Sequence, residues 1–422
     1  MVGVALSGAG ASAVNAITST AQASITGSTL TVTNGTVLVD AQSDAKINAS
    51  VMATALSAGF GQVGVGISIG AAISRNFIGF DSQGDAVANR GSTIAKVENS
   101  TITASLGGLT VNAASGQSIQ ALVIAGAGAV AAGQVGVALS GAGVEAENRI
   151  GSTTAAQILG SSTNINATLV DVLAADTSVI EALAGAVALS VAAGMVGVSG
   201  AIAASIAVNS ISSATSAIVS RNASSGALGS VRATSGAIRV LANDDSTIKA
   251  TAASVALSAG FGAGGIAVSG AGADSQNVIT TTTQVVVDAM SLSATNGITL
   301  AASGAAVIEA RVISAAASMG VGAVGVGISV GASLAHNSIG NGIGSGVLAS
   351  VTNATLATTQ GNISVGAVMS SGINALVEGF AVSVAGGAIG VAASGSGASA
   401  DNTIDYDVSA TVTGSTVTAT AG

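Results

Sequence analysis

One stretch, Val2 to Ile17 (VGVALSGAGASAVNAI), limits what this chain can fold into, because it returns six more times. Close copies start at Val63 (VGVGISIGAAISRNFI), Val135 (VGVALSGAGVEAENRI) and Val324 (VGVGISVGASLAHNSI), and looser ones at Val196, Gly265 and Ile389. Each copy carries an asparagine near its end: Asn15, Asn76, Asn148, Asn209, Asn277, Asn337 and Asn402. The gaps between them are 61, 72, 61, 68, 60 and 65 residues, a period that marks a repeat array and not a set of independent domains.

A second recurring element is led by isoleucine at Ile47, Ile119, Ile180, Ile248, Ile308 and Ile373. In IKATAASVALS, from Ile248, one parity reads Ile248, Ala250, Ala252, Ser254, Ala256, Ser258. That period of two is a strand with a small-residue stripe on one face. Each leading isoleucine lies 16 residues before the opening position of the next organising stretch (for Ile248 this is Gly264, one residue ahead of Gly265), and the asparagine follows 13 residues later. From asparagine to the next isoleucine the count varies: 32, 43, 32, 39, 31 and 36. A constant block between variable connections is what stacking in register requires, since one inserted residue turns every later side chain to the wrong face.

The fold expected is therefore all-β, a parallel β-solenoid (β-helix-like) of about six and a half repeats of ~64 residues with long small-residue strands. One repeat makes one wide rung and adds ~4.8 Å of length. A narrower helix with three coils per repeat stays open, because SGAG also reads as a corner. Glycine-rich turns such as AGFGQ at 58–62 join the two strands as a tight arc, where glycine supplies the backbone freedom a reversal needs. The variable part adds short alternating pieces, among them Ser28–Val32, Leu109–Val111, Ile298–Leu300 and Ile363–Val365. Residues 1–422 read as a single elongated, uncapped array. Met1 opens directly on a repeat strand and the last copy stops at STVTATAG, as in a piece of a longer protein or one whose open ends stack on other copies.

Composition narrows the chemistry. Proline, cysteine and tryptophan are absent, Phe and Tyr number five and one, and Gly numbers 59, so burial has to come from small side chains between closely spaced layers. Without cysteine there are no disulfides, thiolate metal sites or cysteine nucleophiles. A net charge of −9 opposes non-specific binding to nucleic acid or anionic lipid. Mean hydropathy is +0.74, yet no aromatic belt or Lys/Arg-rich loop frames the apolar segments, so no membrane span is expected.

Candidate sites are few. GxGxxG at Gly59, Gly260 and Gly320 sits on the repeat's own arc with a strand after it, where a dinucleotide site needs a helix. His336 is the only histidine, at a repeat position held elsewhere by Val14, Arg75, Glu147 and Asp401, which marks an exposed place and not a catalytic one. Asp401, Asp405 and Asp407 offer carboxylates, but read as solvated acidic turn residues, as do Asp244-Asp245 and Glu145/Glu147. Asn-x-Ser/Thr at Asn34, Asn48, Asn99, Asn166, Asn222, Asn353 and Asn362 is what chance gives in a chain this rich in Ser, Thr and Asn. No catalytic residue, metal ligand or cofactor is assigned. The seven recurring asparagines are expected to form a structural ladder at the edge of the long strand, amide to amide from rung to rung.

The pattern I-x-A-x-A, S-A-G, VGV, SGAGA, N-x-I, followed by short V-x-V strands, resembles the repeats of giant bacterial surface and secreted proteins, the filamentous-haemagglutinin-like adhesins and large exoproteins. The resemblance covers essentially the whole chain and is one of repeat style. It implies a β-solenoid stalk at the cell surface or in the extracellular space, working in adhesion or cell–cell contact. The partners expected are further repeats of the same or a longer chain stacked end to end, and other cell surfaces. The alternative is a subunit of a self-assembling extracellular filament. A β-helix polysaccharide-active enzyme and an ice-binding protein rank below these: the first lacks clustered acids and sugar-stacking aromatics, the second lacks columns of threonine on the long strands.

Overall fold

The computed structural model describes all residues except 88–90, 222–227, 341–344 and 422. Three parallel sheets run along one axis, and each repeat adds one rung to each of them. Rung 3 shows the plan: Val135–Leu159 in the first sheet, Asn164–Ala167 in the second and Val170–Ala193 in the third. A two-residue arc then leads to Val196–Ser220 of rung 4. We call these the asparagine, short and isoleucine sheets. Seven rungs build the first two and six build the third. This is the wide-rung solenoid. The coil-per-SGAG alternative is excluded, because that segment lies inside a continuous strand.

Strand pairing is in register from end to end. Asn15 pairs with Asn76 and Ile17 with Ile78, and the same columns run through every later rung. The isoleucine sheet repeats this with Ile47, Ile119, Ile180, Ile248, Ile308 and Ile373 in one column. Its strands are longer than the leading isoleucine suggests. Val170–Ala193 has 24 residues and starts ten before Ile180, so Leu109–Val111, Ile298–Leu300 and Ile363–Val365 open the long strand and are not separate short ones. Thr29–Val32, by contrast, belongs to the short sheet. At ~3.3 Å per residue a 24-residue strand spans about 80 Å, while seven rungs at ~4.8 Å stack to roughly 34 Å. The body is thus a slab, wider across a rung than it is long along the axis, and this corrects the expectation of an elongated body.

The interior has two parts. Far from the arc, columns of Val, Ile and Leu from all three sheets meet, including Ile102, Leu109, Ile158, Ile165, Ile238 and Leu292, all without solvent exposure. Toward the arc the inward columns shrink to Ala, Gly and Ser, and the two long sheets approach closely: a Cβ on Gly64 would lie 2.5 Å from the Ala132 carbonyl oxygen. The arc is tighter still. Gly61, Gly133, Gly194, Gly262, Gly322 and Gly387 stack on one another, and a Cβ on Gly194 would sit 2.2 Å from the carbonyl oxygen of Gly133. Only glycine lets the reversal repeat at strand spacing. The extra residues of the longer repeats fall between Ile78 and Ser92, between Ser220 and Gly229 and between Ile339 and Gly346.

Candidate functional site

The recurring asparagines form one hydrogen-bonded column. Nδ2 of Asn15 donates to Oδ1 of Asn76 at 2.8 Å, Asn76 to Asn148 at 2.8 Å, and Asn148 to Asn209 at 2.9 Å. Asn209 donates to Asn277, Asn277 to Asn337 and Asn337 to Asn402, each at 2.8 Å. The five middle members are buried, and Asn76 and Asn277 also donate to Ser74 and Ser275 of their own strands. Each amide is held by the register of its strand, and each satisfies a polar group that its neighbour buries. In Val2–Ile17, Val63–Ile78, Val324–Ile339 and Ile389–Ile404 the ladder asparagine stands two residues from the end of its strand. In Val135–Leu159, Val196–Ser220 and Gly264–Asp288 the strand runs on for eleven residues past the asparagine, because the short piece expected to follow is the same strand continued.

A second polar cluster lies deeper, where the two long sheets face each other. Asp176 and Asp244 are in register on adjacent rungs of the isoleucine sheet, and neither has any exposure. Hydroxyls surround them. Ser178 donates to Asp176 Oδ1 at 2.7 Å and Thr154, from the asparagine sheet, to Oδ2 at 3.2 Å. Asp244 accepts from Ser213 at 2.6 Å, Thr215 at 3.0 Å and Ser246 at 2.9 Å. Burial raises both carboxyls above the ordinary aspartate range, and Asp244, which also feels the charge of Asp176, is pushed up to about 7. The reading of Asp244 as a solvated turn residue is therefore wrong. It stands on the inward parity of a strand, the parity of Ala242 and Ile248, while Asp245 faces out.

The other candidates lie on the surface. His336 is exposed and its Nδ1 is 3.2 Å from Asp401 of the next rung. Asp401 sits in a strand and is exposed, as are Asp405 and Asp407. Glu145 and Glu147 are strand residues, paired with Arg75 and Arg149. The three GxGxxG matches sit on the arc with strands after them. Of the Asn-x-Ser/Thr positions, Asn222 lies outside the described residues. Among the described residues there is no group of three or more His, Cys, Asp or Glu placed to hold a metal ion, and no helix long and apolar enough to cross a membrane. An open groove of about 540 Å³ crosses the outer face of the isoleucine sheet, lined by Gln120, Leu122, Glu181, Leu183, Lys249 and Thr251. Its one carboxylate, Glu181, accepts from Gln120 at 3.0 Å.

The outer faces beside the arc are apolar. Val4, Leu6 and Ile202 on the asparagine sheet are 59%, 72% and 66% exposed, and Leu56, Phe60 and Phe380 on the isoleucine sheet are exposed as well. Sequence reading followed the inward stripe and missed these faces. The signal was present in the opposite parity, where the larger residues stand.

Fold and ladder together define the class: a parallel β-solenoid repeat protein with a continuous internal asparagine column. Searches of protein families, of curated proteins and of solved structures find no match to this chain.

Proposed function

We propose that this chain is a structural repeat segment of an extracellular bacterial surface adhesin or fibre, a scaffold that gains length along the solenoid axis and serves adhesion or cell–cell contact. The observation that carries the reading is the unbroken register of seven rungs, with strand edges open at both ends. Val2–Ile17 and Ile389–Ile404 each have a paired neighbour on one side only. The inward Ile404 of the last rung is 49% exposed, whereas Ile339, one rung below, is fully covered. Open edges of this kind pair with further strands, and the partner they suit best is another rung of the same design. The surface setting rests on the repeat style, and the reading assigns the chain no catalysis.

The slab geometry favours a second reading, a subunit of a self-assembling extracellular filament, because some 64 residues add only ~4.8 Å of axial length. A long body then needs many rungs, from one long chain or from many short ones. Antibodies raised against the chain test the setting. Labelling of intact source cells or of fibres shed from them is the expected result, and labelling only after lysis overturns it. The mass of the intact native protein on gel filtration separates the two readings.

A further inference from the structure

With the organising stretches counted as rungs 1 to 7, the outer face of the asparagine sheet alternates between two kinds of surface. At the fourth outward position from the arc, even rungs carry Ile69, Ile202 and Val330, which are 59%, 66% and 56% exposed. Odd rungs carry Gly8, Gly141, Gly270 and Gly395 in the same column. At the next outward position Ala71, Ala204 and Ala332 alternate with Gly10, Gly143, Gly272 and Gly397. In these two columns apolar ridges are separated by bare grooves, with a repeat of two rungs, about 9.6 Å, whereas the third outward column, Leu6, Ile67, Leu139, Gly200, Val268, Ile328 and Ala393, does not follow that alternation. The asparagine-to-isoleucine connections show the same alternation, at 43, 39 and 36 residues after even rungs against 32, 32 and 31 after the odd ones.

The groove glycines are not demanded by the chain itself. A Cβ at Gly8, Gly141, Gly270 or Gly395 meets nothing within 4 Å, unlike the crowded glycines of the arc. None of the four has positive φ. Glycine inside a strand weakens it by entropy and by lost packing, so a groove kept bare at that cost has its use outside the molecule. A lipid surface does not fit, because each added methyl would strengthen its grip and grooves would not help. The first five outward positions over all seven rungs hold only Val, Ile, Leu, Ala and Gly, with no lysine or arginine to meet headgroups. At ~6.6 Å per outward residue and ~4.8 Å per rung, five positions on seven rungs cover roughly 1,100 Å², against the ~800 Å² that each partner contributes to a stable specific interface. The excursion at 79–87 packs over Gly151, beyond Asn148, and leaves the field uncovered.

We propose that this face docks a second copy of the chain, face to face, with the odd rungs of one copy opposite the even rungs of the other. A two-fold axis along the strand direction, between rungs 3 and 4, achieves this. It sets Ile202 opposite Gly141, Ile69 opposite Gly270 and Val330 opposite Gly8, and the contact is isologous and closed. The pairing is lateral and distinct from stacking along the axis. It does not depend on where the chain acts, so it and the surface reading stand or fall separately.

The chain has no cysteine, so a full-length Ile202→Cys chain mixed with a Gly141→Cys chain tests the geometry. A short bis-maleimide is expected to join them. In an end-on stack the same two positions are several rungs apart and out of its reach. Filling the grooves with Gly141→Ile and Gly270→Ile is expected to weaken pairing at least tenfold in sedimentation equilibrium, with a melting temperature no lower than before. A groove-filled chain that pairs as tightly as the parent, or a parent that stays monomeric at high concentration, overturns the proposal. So does flotation of the parent with phosphatidylcholine vesicles that Ile202→Lys abolishes, since lipid would then be the occupant.

Discussion

Asp176 and Asp244 stack one above the other on adjacent rungs, with both carboxyl groups turned inward and closed off from solvent. Two charges so placed, one strand spacing apart and out of contact with water, oppose each other's ionisation. The hydroxyls of Ser213, Thr215 and Ser246 offset only part of the loss of hydration at Asp244.

The pH dependence of stability follows from that pair. Asp244 titrates at about 7 in the folded chain against an ordinary value of 3.8, first because of burial and second because of the charge of Asp176. The folded state therefore keeps a proton that the unfolded state releases. The contribution is whole below pH ~4 and is lost as pH rises through about 7. Urea unfolding is expected to show a lower midpoint at pH 8 than at pH 5. In Asp244→Asn the difference shrinks and the pH 8 midpoint rises, as the unfolding free energy at pH 8 gains on the order of a few kcal/mol. Equal pH profiles for parent and variant would contradict this.

Breaking the ladder in its middle is costly. Asn209→Leu leaves Asn148 Nδ2 without its acceptor and Asn277 Oδ1 without its donor, in a setting closed to water. A loss of about 1–3 kcal/mol per orphaned group is expected, read as a lower melting temperature, with Asn148→Leu behaving alike. An unchanged melt in both variants would remove the ladder's structural role.

Two glycine substitutions should have opposite outcomes. Gly194→Ala puts a methyl 2.2 Å from the Gly133 carbonyl oxygen and should unfold or strongly destabilise the array. Gly141→Ala meets nothing within 4 Å and should leave the melt of the chain unchanged or raise it. Circular dichroism melts of the two at equal concentration decide the matter.

The isoleucine column supports the stack from within. Ile180 has no exposure, and Ile180→Ala should cost about 2–5 kcal/mol in denaturant unfolding. The ridge residue Ile202, with two thirds of its surface in solvent, should cost far less when truncated in the unpaired chain. Similar losses for the two would mean that inward and outward parities are misassigned.

Much of the fold was legible because stacking in register imposes arithmetic on sequence. The constant separation of Ile47 from Asn76, and of Ile248 from Asn277, announced superposed rungs, and the parity through Ala250 and Ala252 showed which side faces in. The asparagine column followed from the same count. The start of the long strand did not, because Val170 to Val179 contains Asp171, Asp176 and Thr177, which read as connection when only apolar alternation marks a strand. Asp244 was misplaced for a related reason: its neighbour Asp245 made an acidic pair look like a turn, while strand alternation sends the two to opposite sides. The ridged outer face escaped notice because its period is two rungs, visible only once alternate repeats are compared across a settled register.

The amides of the ladder all hand their hydrogens the same way, from Asn15 toward Asn402. The column consequently has a sense. Asn15 presents a carbonyl oxygen at one mouth and Asn402 an NH₂ at the other, so the two ends of the slab are chemically unlike. Anything that extends the column must arrive head to tail, offering an amide hydrogen to Asn15 or a carbonyl oxygen to Asn402, because the reverse orientation would set like groups against each other.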